Sequence, residues 1–146
     1  MSDILAPGLT YRHAYEVGAD NTVPRLPVDS AEIARMPAVL ASPSMIAMME
    51  VACTALLARH LKPGQGSLGV LVNVTHTAAS LPGQTVTVDV EVAKVDGPKV
   101  CFNVKAHDGI DAIGEGVHER FVVPLDRFTA RVNAKAEKAG VAPLAT

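Results

Sequence analysis

The sequence predicts an α+β fold in which an antiparallel sheet of five or six strands wraps around one long central helix. Three observations carry this expectation. The stretch from about Ser42 to His60 reads as a helix, and between Met36 and Ala58 its only charged residue is Glu50. A helix apolar on every face has to be covered on most sides. Four segments with strand patterning follow, and Thr85–Val92 alternates polar and apolar residues without a fault, as a strand with one wet face does. The breaks between them, Leu81-Pro82-Gly83, Asp96-Gly97-Pro98 and Asp108-Gly109, are turn signals.

Taken in order, residues 9–17 read as a first strand. Residues 18–41 are irregular, with Pro24, Pro27 and Pro37 and a short helical turn over 30–35; so long a connection is often a functional lid. Ser42-Pro43-Ser44 opens the helix, with Ser42 expected at the N-cap and Pro43 at the first helical position, and Lys62-Pro63-Gly64 stops it. The next strands are Ser67–Ala79, Thr85–Val92, Lys99–Ala106, with Val100, Phe102, Val104 and Ala106 on one face, and Ile113–Val123. From Pro124 to Lys138, Arg127, Arg131, Lys135 and Lys138 lie opposite Phe128 and Val132, a solvated amphipathic helix. The final eight residues or so are expected to be disordered, and the whole of 1–146 to be one domain. A curled sheet around a single apolar helix is the hotdog arrangement. Its open edges call for a second copy joined edge to edge, a homodimer, with pairing of dimers into tetramers left open.

Bulk properties narrow the function. With 49% hydrophobic and 19% charged residues, the chain has ordinary globular composition. A net charge of −2 gives no general attraction to nucleic acid or an anionic membrane. The absence of Trp and the presence of only Tyr11, Tyr15, Phe102, Phe121 and Phe128 argue against a base-stacking surface. Cys53 and Cys101 form neither a metal spacing nor a disulfide framework and read as reduced thiols of a cytoplasmic protein. The first residues carry no secretory pattern, and Pro37 and Pro43 leave only about 16 uninterrupted apolar-rich residues, short of a membrane span. No His, Cys, Asp and Glu set has metal-ligand spacing, and phosphate-loop and Gly-x-Ser-x-Gly motifs are missing.

Five residues remain as candidates for chemistry. A carboxylate such as Glu50 among methionines is costly to desolvate, and must be paired, hydrogen-bonded or neutralised. An acid kept there points to an enzyme, although one satisfied by backbone or Arg at an interface would look the same. His76 follows Val72 and Val74 in a row expected to face inward, where a histidine is either a bonded core residue or a proton carrier. Ser42 precedes Glu50 by eight residues, about 12 Å along an ideal helix. The two meet only if the chain folds back or a neighbouring subunit supplies one of them. Arg120, with His118, alternates with Val117 and Phe121; it is either an exposed strand charge or a counter-charge to Glu50. Gly69 inside a strand marks a bulge or a close backbone approach.

Three stretches add a resemblance: Met48-Met49-Glu50-Val51-Ala52-Cys53; Pro63–Gly69 with Val74-Thr75-His76-Thr77-Ala78-Ala79; and Ala106–Arg120. Over roughly residues 30–135 the chain resembles the fluoroacetyl-CoA thioesterase family of hotdog proteins. The resemblance implies hydrolysis of a short or small acyl-CoA to the free acid and CoA. Coenzyme A then enters as part of the substrate, and no separate cofactor is needed. It further implies a catalytic set of Ser42, Glu50 and His76, assisted by Gly69 and Arg120, with Ser42 standing where the family has threonine. Ile33, Met36 and Leu40 fall where the fluoroacetyl-specific enzyme has pocket and lid phenylalanines, so the acyl preference is expected to differ. The competing reading is a non-catalytic module that binds acyl-CoA or another acyl ligand on the same fold.

Overall fold

The computed structural model describes residues 4–145. Strand β1 (Thr10–Glu16) leads into two 3-10 turns, Ala19–Asn21 and Val23–Arg25, and the short helix α1 (Ala31–Ala34). Helix α2 (Ser42–Ala58) follows, then β2 (Gln65–Val74), β3 (Thr85–Asp96), β4 (Lys99–His107), β5 (Ala112–Pro124) and helix α3 (Leu125–Ala139). The sheet has five strands in the order β1-β3-β4-β5-β2, every neighbouring pair antiparallel. It curls around α2 in the hotdog arrangement, so β1 and β2 are its edges.

The core follows from two periodicities meeting. Met45, Met49, Ala52, Cys53 and Leu56 recur along one face of α2 and are buried, as is Leu57. Facing them are the alternate residues Val86, Val88, Val90 and Val92 of β3 and Val100, Phe102, Val104 and Ala106 of β4. Fully burying a side chain of this size contributes about 1.5–3 kcal/mol, which holds the helix in the sheet's hollow. The long connection is pinned at its base: Thr22 bridges Leu40, and the amides of Val23 and Ala41 donate to Val39 and Asn21 carbonyls at 3.0 and 2.9 Å. Residues 24–38 therefore leave and return beside the start of α2.

Three expectations are corrected. The first concerns coverage of α2, which is not buried all round: Ala47, Val51, Thr54 and Ala58 form an exposed stripe, and the Glu50 side chain is 42% exposed. The second concerns the faces of β5, where the reading of Arg120 as an exposed strand charge fails. His118 and Arg120 point inward at 1% and 8% exposure, while Val117 and Phe121 are each 37% exposed. Register explains this, because Val100, Phe102 and Val104 of β4 stand opposite Arg120, His118 and Gly116, and directly opposed residues share a face. Finally, Ser42 is not the N-cap. Ala41 occupies that position without a side-chain cap, and Ser42 is the first helical residue.

The segment expected as strand to Ala79 ends at Val74, but its continuation still follows β5. Thr75 and Thr77 amides donate to Glu115 and Ile113 carbonyls at 2.8 and 2.7 Å. Such a close approach needs Gly114 and Gly116, where a Cβ would collide with the Thr75 and Asn73 carbonyls. His107-Asp108-Gly109 is the expected hairpin turn. Asp108 accepts from the Ser80 hydroxyl and from the Ile110 and Asp111 amides, and these bonds hold its carboxyl below the ordinary value despite the opposing cost of burial. No helix among the described residues is long and apolar enough to cross a membrane.

Candidate active site

The candidate residues gather in two clusters at different heights along α2. One sits at its N-terminal end. The Ser42 hydroxyl lies 2.7 Å from His76 Nδ1, and both line a cleft of about 360 Å³ with Val23, Val39, Leu40, Thr77, Ala78 and Ala79. The other ring nitrogen of His76, Nε2, is buried with no hydrogen-bond partner. Of the three expected acyl-pocket residues, only Leu40 lines this cleft. Ile33 is half-buried on α1, and Met36 is 50% exposed.

The second cluster surrounds Glu50, two turns further along. Glu50 Oε1 is 3.8 Å from His118 Nε2, the one basic side chain within 4 Å of it among the described residues, and none of those residues gives it a hydrogen bond. Gly69 on β2 forms the wall: a Cβ there would lie 3.0 Å from Glu50 Oε1, 3.3 Å from His118 Cε1 and 3.4 Å from Arg120 Nη1. Glycine is required by this close approach, which the strand pattern flagged without naming the neighbours. Arg120 does not pair with Glu50. It donates from Nε to Ser67 Oγ and from Nη2 to the Ser67 carbonyl, both at 2.9 Å, and from Nη1 to His118 Nε2 at 3.2 Å. His118 and Ser67 thus belong to the cluster although no local pattern singled them out. Beneath it Cys53 is buried, and burial pushes its thiol up to about 12, which removes it as a nucleophile at neutral pH.

The short contact between Glu50 and His118 is not an ion pair. Burial, first of all, pushes the His118 pKa below the ordinary value of 6.5, with Arg120 adding to the effect and the Leu71 carbonyl and Glu50 opposing it. A neutral imidazole beside a half-exposed carboxylate leaves that carboxylate without a charge partner. Chemically, the pair of clusters offers an unpaired acid next to a guanidinium, and a hydroxyl bonded to an imidazole with one nitrogen spare. No group of three or more His, Cys, Asp and Glu residues able to hold a metal ion is present among the described residues.

Residues 24–126 match the family described as fluoroacetyl-CoA-specific thioesterase. The chain belongs to this family. It is 44% identical over 135 residues to the fluoroacetyl-CoA thioesterase of Streptantibioticus cattleyicolor, covering 92% of this chain and 97% of that one. The solved structure of the fluoroacetyl-CoA thioesterase FlK superposes with a TM-score of 0.87 at 44% identity, covering 90% of this chain and 97% of that one. A threonine-to-serine mutant of FlK in complex with acetyl-CoA gives 0.87 at 45% identity, with 90% and 98% covered. A Thermus thermophilus hypothetical protein, a thioesterase superfamily member, gives 0.83 at 26% identity, with 92% and 96% covered. As a member of the fluoroacetyl-CoA-specific thioesterase family, the chain has the hotdog fold that its strand order and central helix describe.

Proposed function

We propose that the protein is an acyl-CoA thioesterase acting on a short or small acyl group, with Glu50 as the central acid. The observation that carries this reading is the Glu50 carboxylate itself, half-exposed, without a hydrogen bond among the described residues, and gathered with His118 and Arg120 around the space that the missing Gly69 side chain leaves open. A free carboxylate so placed either adds to the thioester carbonyl, giving a mixed anhydride, or takes a proton from the attacking water. Arg120 and the Gly69 N–H stand where a developing oxyanion needs donors. His76 takes a proton from the attacking water and gives one to the departing thiolate, and the Ser42 hydroxyl orients it or the carbonyl. A serine in this role agrees with the FlK threonine-to-serine mutant having been obtained with acetyl-CoA. Leu40 narrows the acyl end of the cleft, in place of an aromatic.

The active form is a homodimer in the cytoplasm. Val70, Leu71 and Val72 on the β2 edge and Val51 on α2 are 41–53% exposed, whereas the β1 edge carries Arg12 and Glu16. An apolar open edge pairs with its own copy. Ser42 and Glu50 are about 12 Å apart along one helix, so a second copy brings one chain's Ser42 and His76 to the other's Glu50 and Gly69. The chain from 1 to 146 then acts as one domain.

The test is thiol release from acetyl- to butyryl-CoA and fluoroacetyl-CoA by wild type and Glu50→Gln. A loss of about 10²- to 10⁴-fold in kcat is expected for the variant; equal rates reject the role of Glu50. Mixing Ser42→Ala with Glu50→Gln chains tests the shared site, because mixed dimers regain one intact site. No recovery after subunit exchange places both residues in one chain's site. Binding of CoA thioesters with no thiol release by wild type would favour a non-catalytic module.

A further inference from the structure

His118 is a buried polar side chain that the proposed chemistry leaves unused. It is 1% exposed and stacks on Phe102, with ring centroids 6.4 Å apart at 26°. Both its nitrogens have partners of fixed chemistry. The Leu71 carbonyl, 2.9 Å from Nδ1, can only accept, so Nδ1 carries the proton. Arg120 Nη1, 3.2 Å from Nε2, can only donate, so Nε2 is bare. The ring is therefore neutral and held in one tautomer. The ionisable groups that act on it are Glu50 from α2 and Arg120 on its own strand; β2 contributes the Leu71 carbonyl and β4 the Phe102 ring.

Arg120 has five N–H groups. Three are spent, two on Ser67 and one on His118. The two that remain sit on Nη1 and Nη2, and Nη1 borders the space beside Gly69. Ser67 anchors the Nε and Nη2 side of the fork, and His118 alone anchors the Nη1 end. A protonated His118 would turn a donor toward Nη1 and break that anchor.

We propose that His118 is a positioning residue for thioester hydrolysis: its bare Nε2 holds the Nη1 end of Arg120 against the Gly69–Glu50 cleft, aiming the guanidinium at the reacting carbonyl. This rests on the thioesterase reading. His118→Phe keeps the ring stacking and removes the acceptor; His118→Gln restores an acceptor oxygen at the reach of Nε2. The Phe variant should lose roughly 10- to 100-fold in kcat for acetyl-CoA and leave KM nearly unchanged, and the Gln variant should recover most of it. On an Arg120→Met background, His118→Phe should cost nothing further, because it acts through Arg120.

An unchanged kcat in His118→Phe, an undiminished loss on the Arg120→Met background, or no rescue by Gln overturns the proposal. Long-range proton–nitrogen NMR of histidine-labelled wild type reads it without activity: the Nδ1–H tautomer should persist as pH falls through the ordinary histidine value of 6.5. An Nε2–H tautomer, or titration at that value, overturns it. Failure of the thioesterase reading shows separately, as a wild type that hydrolyses no acyl-CoA.

Discussion

Replacing Gly69 by alanine separates the site's chemistry from the fold's stability. Gly69 is not among the glycines at positive φ, so its backbone accepts an L side chain without strain. The added methyl carbon would lie 3.0 Å from Glu50 Oε1, where ordinary contact begins at 3.4 Å. His118 cannot yield, being held by Phe102, Leu71 and Arg120. Glu50 can, since its side chain is 42% exposed, so the carboxylate withdraws by a few tenths of an ångström. A misplacement of about 1 Å costs some 10²-fold in rate, so this shift alone costs several-fold. The methyl also fills space the thioester carbonyl needs, which brings the expected loss in kcat/KM to roughly 10- to 100-fold, or 1.4–2.8 kcal/mol. Stability should hardly change. Alanine in an allowed conformation gains about 0.4–1 kcal/mol through the unfolded chain, and the crowded contact offsets a similar amount. Thiol release from acetyl-CoA, with thermal unfolding in parallel, measures both. A variant with wild-type kcat/KM, or one whose activity loss is matched by a fall in Tm of more than about 5 °C, refutes the reasoning.

Other outcomes follow from the same structure. His118 has a folded-state pKa below its unfolded value of 6.5, so the unfolded chain binds the extra proton. Its contribution to stability is complete above 6.5 and is lost as pH falls from there toward the folded value; His118→Gln should flatten that acid limb in unfolding curves taken from pH 7 to 5. Tyr15 behaves oppositely. Burial pushes it up from 10.0 to about 12, so stability falls as pH rises through that window. Its hydroxyl is also buried without a partner, so Tyr15→Phe should remove the alkaline loss and stabilise the protein at pH 7 by about 1 kcal/mol, read by denaturant titration. Val72→Asp, a charge on the apolar β2 edge, should convert dimer to monomer in sedimentation and abolish thiol release together. Ser42→Ala removes the 2.7 Å bond to His76 and should lower kcat roughly 10- to 100-fold while leaving the fold intact by circular dichroism.

The chain's local patterns were enough to set out its elements. Period-two alternation over Thr85–Val92 and Lys99–Ala106, turn dipeptides, and a charge-poor helix ended by Lys62-Pro63-Gly64 are each written in neighbouring residues, and β1, α2, β3, β4, β5 and α3 appear where they imply, within a few residues. The acid at position 50 was legible for the same reason, as one charge in an apolar run. What local pattern could not decide was the side on which each residue lies. Alternation in β5 is satisfied with either Val117 and Phe121 or His118 and Arg120 inward, and only pairing with Val100 and Phe102 of β4 selects the polar pair. The bonds of Arg120 to Ser67 and the seat of Ser42 against His76 rather than on its own helix end are likewise contacts between segments far apart in the chain, and the open stripe on α2 lies where no other segment covers the helix. A strand's pattern fixes its period but not its phase relative to the core, and phase is set by the register of hydrogen bonds with its neighbours.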